Sequence, residues 1–173
     1  MLVFDVDQTL IDSTIRENMA RCADTGALNL PDYIRLKSLV SLDTILPLGQ
    51  AFCELKAKKL LLPTDWRILT ARTFDERDFT SLAFLLGLTG EDFSRRVICR
   101  NNIANYGGDP AEQKTGDYKK PVLDRLSRFF GQTVMVDDCP TVLELSGNYR
   151  TVNAYDFYHL SVNDCKEWIL ANC

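Results

Sequence analysis

Five strand-like segments, "MLVF", "WRILT", "RRVIC", "TVMV" and "YRTV", punctuate the chain, and helix-like stretches fill the intervals between them. Several are apolar runs rather than alternations of polar and apolar residues, as expected of strands covered on both faces of a sheet. Strands separated by helices pair in parallel, since the return path needs about the length of a helix. The expected fold is therefore α/β, a parallel sheet flanked by helices. Helices are expected over Ser13 to Cys22, from near Pro31, and over Pro47 to Lys59, where Leu48, Phe52 and Leu55 share one face. Others are expected over "DERDFTSLAFLLG", stopped by Gly87, over "YKKPVLDRLSRFFG", closed by Gly131, and over "CPTVLELSG" and "VNDCKEWILAN". The glycines and proline of "NNIANYGGDPAEQKTGD" mark an irregular loop.

A chain of 173 residues, 46% of them hydrophobic, has the material for one ordinary core. A single domain spanning 1–173 is expected, with 13–43 as the one stretch able to form a small helical lobe. The formal net charge of -4 argues against a partner held by a broad basic surface. It leaves nucleotides and nucleic-acid ends open, because a few local basic residues can hold them. Arg72, Arg77, Arg95, Arg96 and Arg100, which follow the second and third strands, are the candidates for such a patch. No apolar stretch approaches the ~18 residues of a membrane span. The opening apolar run is cut short by Asp5 and Asp7, too early for a signal peptide, so the cytoplasm is the expected compartment. The six cysteines are scattered without a C-x-x-C, and His159 is the only histidine, which argues against structural zinc. His159 reads as a structural histidine, and Tyr155, Phe157 and Tyr158 as a packed aromatic edge rather than a platform for a base.

In open α/β sheets, ligands bind beyond the carboxyl ends of the strands. The first strand-like segment ends at Asp5, with Asp7 and Thr9 following; the second ends at Thr70, followed by Arg72; the fourth ends at Asp137 and Asp138. These residues are expected to meet in one crevice. Carboxylates so gathered repel and need a proton or a cation between them. Magnesium suits an oxygen-only set and commonly binds through one or two carboxylates plus a phosphate. Asp5 could then attack phosphorus, Asp7 could exchange protons with the leaving oxygen and water, and Thr70 and a lysine could hold the remaining phosphoryl oxygens.

The segment "FDVDQTLIDS" resembles the first motif of the haloacid-dehalogenase superfamily of phosphatases, "ILTAR" its second, "YKKP" its third and "MVDDCPTVLE" its fourth. The four occur in the family's order and span nearly the whole chain. The resemblance implies a Rossmann-like three-layer sandwich with a five-stranded parallel sheet and a magnesium-dependent phosphatase. By the same resemblance Asp5 is nucleophile and metal ligand, and Asp7 is acid/base and binds the metal through its carbonyl. Asp137 is a further metal ligand supported by Asp138, and Thr70 binds phosphate. Gln8 departs from the glycine usual at its position, whereas Thr9 is retained. Lys120, before Pro121, and Lys119, in another register, both fit the third motif. Lys119 is preferred, and Lys114 is a weaker third. The spacing of the last two motifs resembles the phosphatase domains of polynucleotide kinase-phosphatases. Arg72 is expected to bind substrate phosphate or to pair with a structural acid such as Asp75.

Each residue has a plainer reading. Asp5 and Asp7 could be turn residues, Thr70, Asp137 and Asp138 helix caps, and one of the two lysines a solvated helix face. The competing function classes are a non-catalytic phosphate-binding module and a phosphotransferase. The short 13–43 segment leaves little material for a closed lid, and a phosphorylated nucleotide or nucleic-acid end is the expected substrate.

Overall fold

Leu2–Phe4 form β1, a strand with three buried apolar side chains and no polar one, and it becomes the middle of the sheet. The computed structural model describes residues 1–27 and 29–173. After β1 come β2 (Ile11–Asp12), the short helices α1 (Thr14–Met19) and α2 (Leu30–Arg35), a 3-10 segment over Leu36–Leu42, and β3 (Thr44–Ile45). The chain continues through α3 (Pro47–Ala57), β4 (Trp66–Leu69), α4 (Glu76–Leu86), α5 (Gly90–Arg95), β5 (Val97–Ile98) and a 3-10 turn over Ile103–Tyr106. It ends with α6 (Thr115–Phe130), β6 (Thr133–Asp137), α7 (Pro140–Leu143), β7 (Tyr149–Asn153), a 3-10 turn over Ala154–Phe157, and α8 (Val162–Asn172).

The strands order as β5-β4-β1-β6-β7, every adjacent pair parallel, which is the Rossmann-like arrangement expected. Successive side chains of a strand point to opposite faces, so each strand feeds two cores. Leu2, Phe4, Ile68, Val134 and Val136 meet α3, α4 and α8 through Phe52, Leu55, Leu82 and Ile169. Val3, Leu69, Ile98 and Met135 meet α6 and α7 through Tyr118, Val122, Leu126 and Val142. Phe52 packs edge-on against both Phe4 and Trp66, with ring centroids 5.6 and 4.9 Å apart, tying α3 to two strands.

The helical insertion leaves the sheet directly after the β1 loop. Its neck is closed by β2 and β3, which pair antiparallel with Ile11 opposite Ile45. Residue 28 of the expected lobe lies outside the described residues. Gly49 sits in the first turn of α3, where a Cβ would come 2.1 Å from the Leu10 carbonyl oxygen. Only glycine lets that helix abut the loop carrying the first motif.

Several boundaries differ from expectation for local reasons. The first helix ends at Met19, because the chain reverses beyond it: Gly26 N–H donates to the Cys22 carbonyl and Cys22 N–H to that of Ala27. α5 was not expected. A reciprocal capping box between Thr89 and Asp92 starts it, and it leaves only Val97–Ile98 of "RRVIC" as strand. α6 begins at Thr115, ahead of "YKKP", and α7 shrinks to four residues. Gly87 stops α4 in the left-handed conformation, φ 58°, as expected of a C-terminal glycine. Among the described residues, no helix is long and apolar enough to cross a membrane.

Candidate active site

Register brings the chemistry together. Phe4 lies opposite Ile68 on one side and Val136 on the other. The next residue, Asp5, therefore stands level with Asp137, and Thr70 lies one step beyond on β4. Asp5 N–H continues the ladder by donating to the Val136 carbonyl at 3.0 Å. The carboxyl ends of three adjacent strands thus open on one crevice, as the sequence predicts.

Lys119 reaches this crevice from α6 and is fully buried. Its Nζ donates to Asp137 Oδ2 at 2.7 Å and stands 2.8 Å from Asp5 Oδ1 as an ion pair. The ammonium thus sits between the two strand-end carboxylates. Asp137 keeps its other oxygen for the Cys139 N–H at 2.9 Å, a local turn contact that fixes the carboxylate. Asp5, Asp137 and Asp138 each offer a carboxylate oxygen within 4.8 Å of the others. Burial pushes the Asp5 carboxyl up to about 8; the Lys119 ammonium opposes that, and Asp137, Asp138 and Asp7 add to it. Burial, then the charge of Asp137, raises Asp138 to about 7. Burial works against the Lys119 ammonium, but Asp137 and Asp5 outweigh it and hold the lysine protonated. Fully ionised, these three carboxylates against the Lys119 ammonium would carry two excess negative charges, and the raised values of Asp5 and Asp138 express that excess. An all-oxygen set with that excess could hold a hard divalent cation.

Two threonines of the motifs are buried. Thr70 is buried, and its Oγ1 accepts from the Arg72 N–H at 3.3 Å. The following helix takes its cap from Asp75 instead. Thr9 is buried with an unpartnered Oγ1.

Asp7 stands in a second cluster. Arg72 grips it with two parallel hydrogen bonds, Nε to Oδ2 at 2.6 Å and Nη2 to Oδ1. Tyr33 O–H donates to Oδ1 at 3.0 Å, and Arg16 Nη2 lies 3.5 Å away. Arg16 is itself held by both oxygens of Asp43 at 2.7 Å, and Arg72 also reaches Asp43 and Asp78. Burial alone would raise the Asp7 carboxyl, but the two guanidiniums hold it well below the usual carboxylate range. Arg72 thus spends its donors on Asp7, Asp43 and Asp78.

The remaining candidates lie elsewhere. Lys120 is on the outer side of α6, where it bonds Asp124 at 3.1 Å and the Ser146 carbonyl at 3.1 Å. Lys114 is the residue preceding α6. Arg95 and Arg96 precede β5, at the end of the sheet opposite the crevice, and pair with Glu91 and Asp92. Arg100 bonds the carbonyls of Ala71, Pro110 and Glu112. Phe157 is core, edge-on to Trp168, whereas Tyr155 is half exposed.

Sequence reasoning missed Arg16, Tyr33, Asp43 and Asp78. No periodicity links them to Asp7, since Arg16, Tyr33 and Asp43 come from the insertion and Asp78 from α4. The one available signal was Asp78, three residues after Asp75 in a capping box.

Comparison with curated proteins and with solved structures gave no match. A family model described as Bacteriophage T5 5'-deoxynucleotidase, related to the haloacid-dehalogenase superfamily, matches residues 1–167. That span runs from β1 into α8 and contains both charge clusters, and the chain belongs to this family.

Proposed function

We propose that this chain is a magnesium-dependent phosphomonoesterase that hydrolyses deoxynucleoside 5′-monophosphates through a phosphorylated Asp5. The observation that carries the reading is the convergence of Asp5, Asp137 and Asp138, each with a carboxylate oxygen within 4.8 Å of the others, beside one buried lysine. The substrate class rests on the description of the family. Asp5, Asp137 and Asp138 would hold the metal, which would supply positive charge to the phosphoryl oxygens.

Asp5 forms the new P–O bond while the ester P–O bond breaks toward the nucleoside oxygen. Lys119 holds Asp5 and Asp137 in place and offsets charge on the transferring group. The hydroxyls of Thr9 and Thr70 stand ready to donate to phosphoryl oxygens. Asp7 would give a proton to the leaving oxygen and then take one from the water that cleaves the phosphorylated Asp5. Held well below the usual carboxylate range by Arg72 and Arg16, it is a weak base as it stands, so its Arg72 pair has to open, and the first proton has to come from solvent water. Residues 13–43 serve as a minimal cap, with Arg16 and Tyr33 reaching Asp7 from it.

The test is kcat/KM for deoxynucleoside 5′- and 3′-monophosphates, sugar phosphates and 5′-phosphorylated oligonucleotides, with magnesium and with chelator. A 5′-monophosphate should be the best substrate, and chelator should abolish its turnover. A preference for oligonucleotide ends would move the reading to the polynucleotide-end phosphatases. Absence of magnesium-dependent turnover on every ester would end it.

A further inference from the structure

Gln8 lies between the two carboxylates of the first motif and Thr9. Its backbone is left-handed, φ 52°, a region that costs a side chain with a Cβ and that glycine enters freely. Such a conformation persists only where its surroundings over-determine it. They do so here from two directions. Tyr158, from the segment after β7, donates its hydroxyl proton to the Gln8 carbonyl at 2.8 Å, with Gln8 Oε1 3.0 Å from the same oxygen. On the other side the Gln8 amide reaches Ser13, Thr14 and Glu17 at 3.3, 3.2 and 3.1 Å. Gln8 is buried, and the Tyr158 ring is backed edge-on by Tyr155 at 5.0 Å. The contact joins residues 150 apart in sequence, so it is tertiary structure, not the local chain, that sets the loop.

We propose that Tyr158 is a positioning residue, whose hydroxyl locks Gln8 in its left-handed conformation and so fixes where the flanking Asp7 and Thr9 stand relative to Asp5. The consequence for catalysis rests on the phosphatase reading above; the lock itself does not. Gln8 stands where related motifs carry glycine, and the tyrosine supplies the rigidity that the conformation needs when glycine is absent. Tyr158 touches no reacting atom. Its effect is on geometry, and a misplacement of about 1 Å in such a site lowers turnover strongly.

The experiment compares the full-length wild type with Tyr158→Phe. Removing one hydroxyl while keeping the ring leaves the packing intact and strips the Gln8 carbonyl of its donor. Tyr158→Phe should lower kcat about tenfold while KM moves less than about twofold. The second readout is amide hydrogen exchange over residues 8–11, which should be about tenfold faster in Tyr158→Phe while exchange over β7 and α8 stays as in the wild type. Exchange decides the lock even if the wild type turns over no phosphate ester, an outcome that defeats the phosphatase reading alone. Unchanged exchange over residues 8–11 in Tyr158→Phe overturns the proposal. So does exchange that quickens over β7 and α8 as much as over residues 8–11, which is the pattern of a merely structural tyrosine.

Discussion

The two charge clusters beside the crevice are each built around three aspartates and reach opposite electrostatic ends. Asp5, Asp137 and Asp138 share one cation, Lys119, and two of these carboxyls are pushed up to about 8 and about 7, chiefly by burial. Asp7, Asp43 and Asp78 share two guanidiniums and a tyrosine hydroxyl, and Asp7 is held well below the usual range although burial opposes it. The difference lies in the count and kind of partner. A guanidinium binds a carboxylate through two parallel donors, so Arg16 on Asp43 and Arg72 on Asp7 satisfy both oxygens at once. A lysine is a point charge, and Lys119 leaves oxygens over. The first cluster therefore could take a further cation, whereas the second is closed within the protein. A buried pair is weak evidence of net stabilisation, since desolvation offsets the attraction. What the Arg72 cluster supplies is orientation, and it joins the insertion to the sheet.

The largest effect expected from this contrast is at Asp5. Asp5→Asn should lower kcat by at least about 10³-fold, because an amide is no nucleophile toward phosphorus. The folded state should be unharmed, because the variant removes a charge that burial already disfavours. Measuring turnover and thermal midpoint on the same preparation separates the two. A variant as active as wild type would remove Asp5 from the reaction.

How much of this was legible beforehand divides along the same line. The incomplete cluster is readable, because its acids close apolar runs: "MLVF" ends at Asp5 and "TVMV" at Asp137, and parallel register then sets them side by side. Lys119 over Lys120 is a matter of helical phase. Neighbours on a helix point about 100° apart, and the α6 face that buries Tyr118, Val122 and Leu126 carries Lys119 inward with it. The closed cluster was not readable. Arg16, Tyr33 and Asp43 belong to an insertion of short helices whose position no propensity fixes, and Arg72 was read only as a phosphate binder or a partner of a nearby acid. The Tyr158 contact to Gln8 was hidden for the same reason, and a polar aromatic in "YDFYH" reads as edge packing until its hydroxyl is seen to have a specific acceptor.

A smaller, electrostatic effect should divide the clusters in solution. In metal-free protein the folded-state carboxyls of Asp138 and Asp5 lie above the unfolded value of 3.8. Between that value and the folded ones, the folded state binds more protons than the unfolded, so stability falls as pH rises. Metal-free stability should therefore decline from about pH 5 to pH 8, by at least about 1 kcal/mol. Saturating magnesium should flatten this slope by binding the ionised folded form. Asp7 gives the opposite sign: its lowered value stabilises above the unfolded pKa, and that contribution is lost only in acid below about pH 4. Denaturant midpoints across this range, with magnesium and with chelator, read both. A magnesium-independent slope from pH 5 to 8 would mean the first cluster is not a cation site.

The last contrast concerns the two neighbouring lysines. Both fit the third motif by sequence, yet they point to different sides of α6. Lys119 is buried against Asp5 and Asp137. Lys120 lies at the surface, shared among Asp124, the Ser146 carbonyl and the face of Tyr149, whose ring centroid is 5.9 Å away. An exposed pair spaced i,i+4 along a helix is screened by solvent and contributes little. Lys120→Ala should leave kcat and KM within about twofold of wild type, because no reacting group is within its reach. Lys119→Ala removes the ammonium that sits between Asp5 and Asp137 and should lower kcat by about 10²-fold or more. Raising magnesium can return some of that loss by supplying positive charge to Asp5 and Asp137, but it cannot replace the Nζ hydrogen bond that holds Asp137. The pair is best assayed side by side at several magnesium concentrations. Equal losses from the two substitutions would show that charge near the helix, not contact with the strand-end acids, is what the third motif provides.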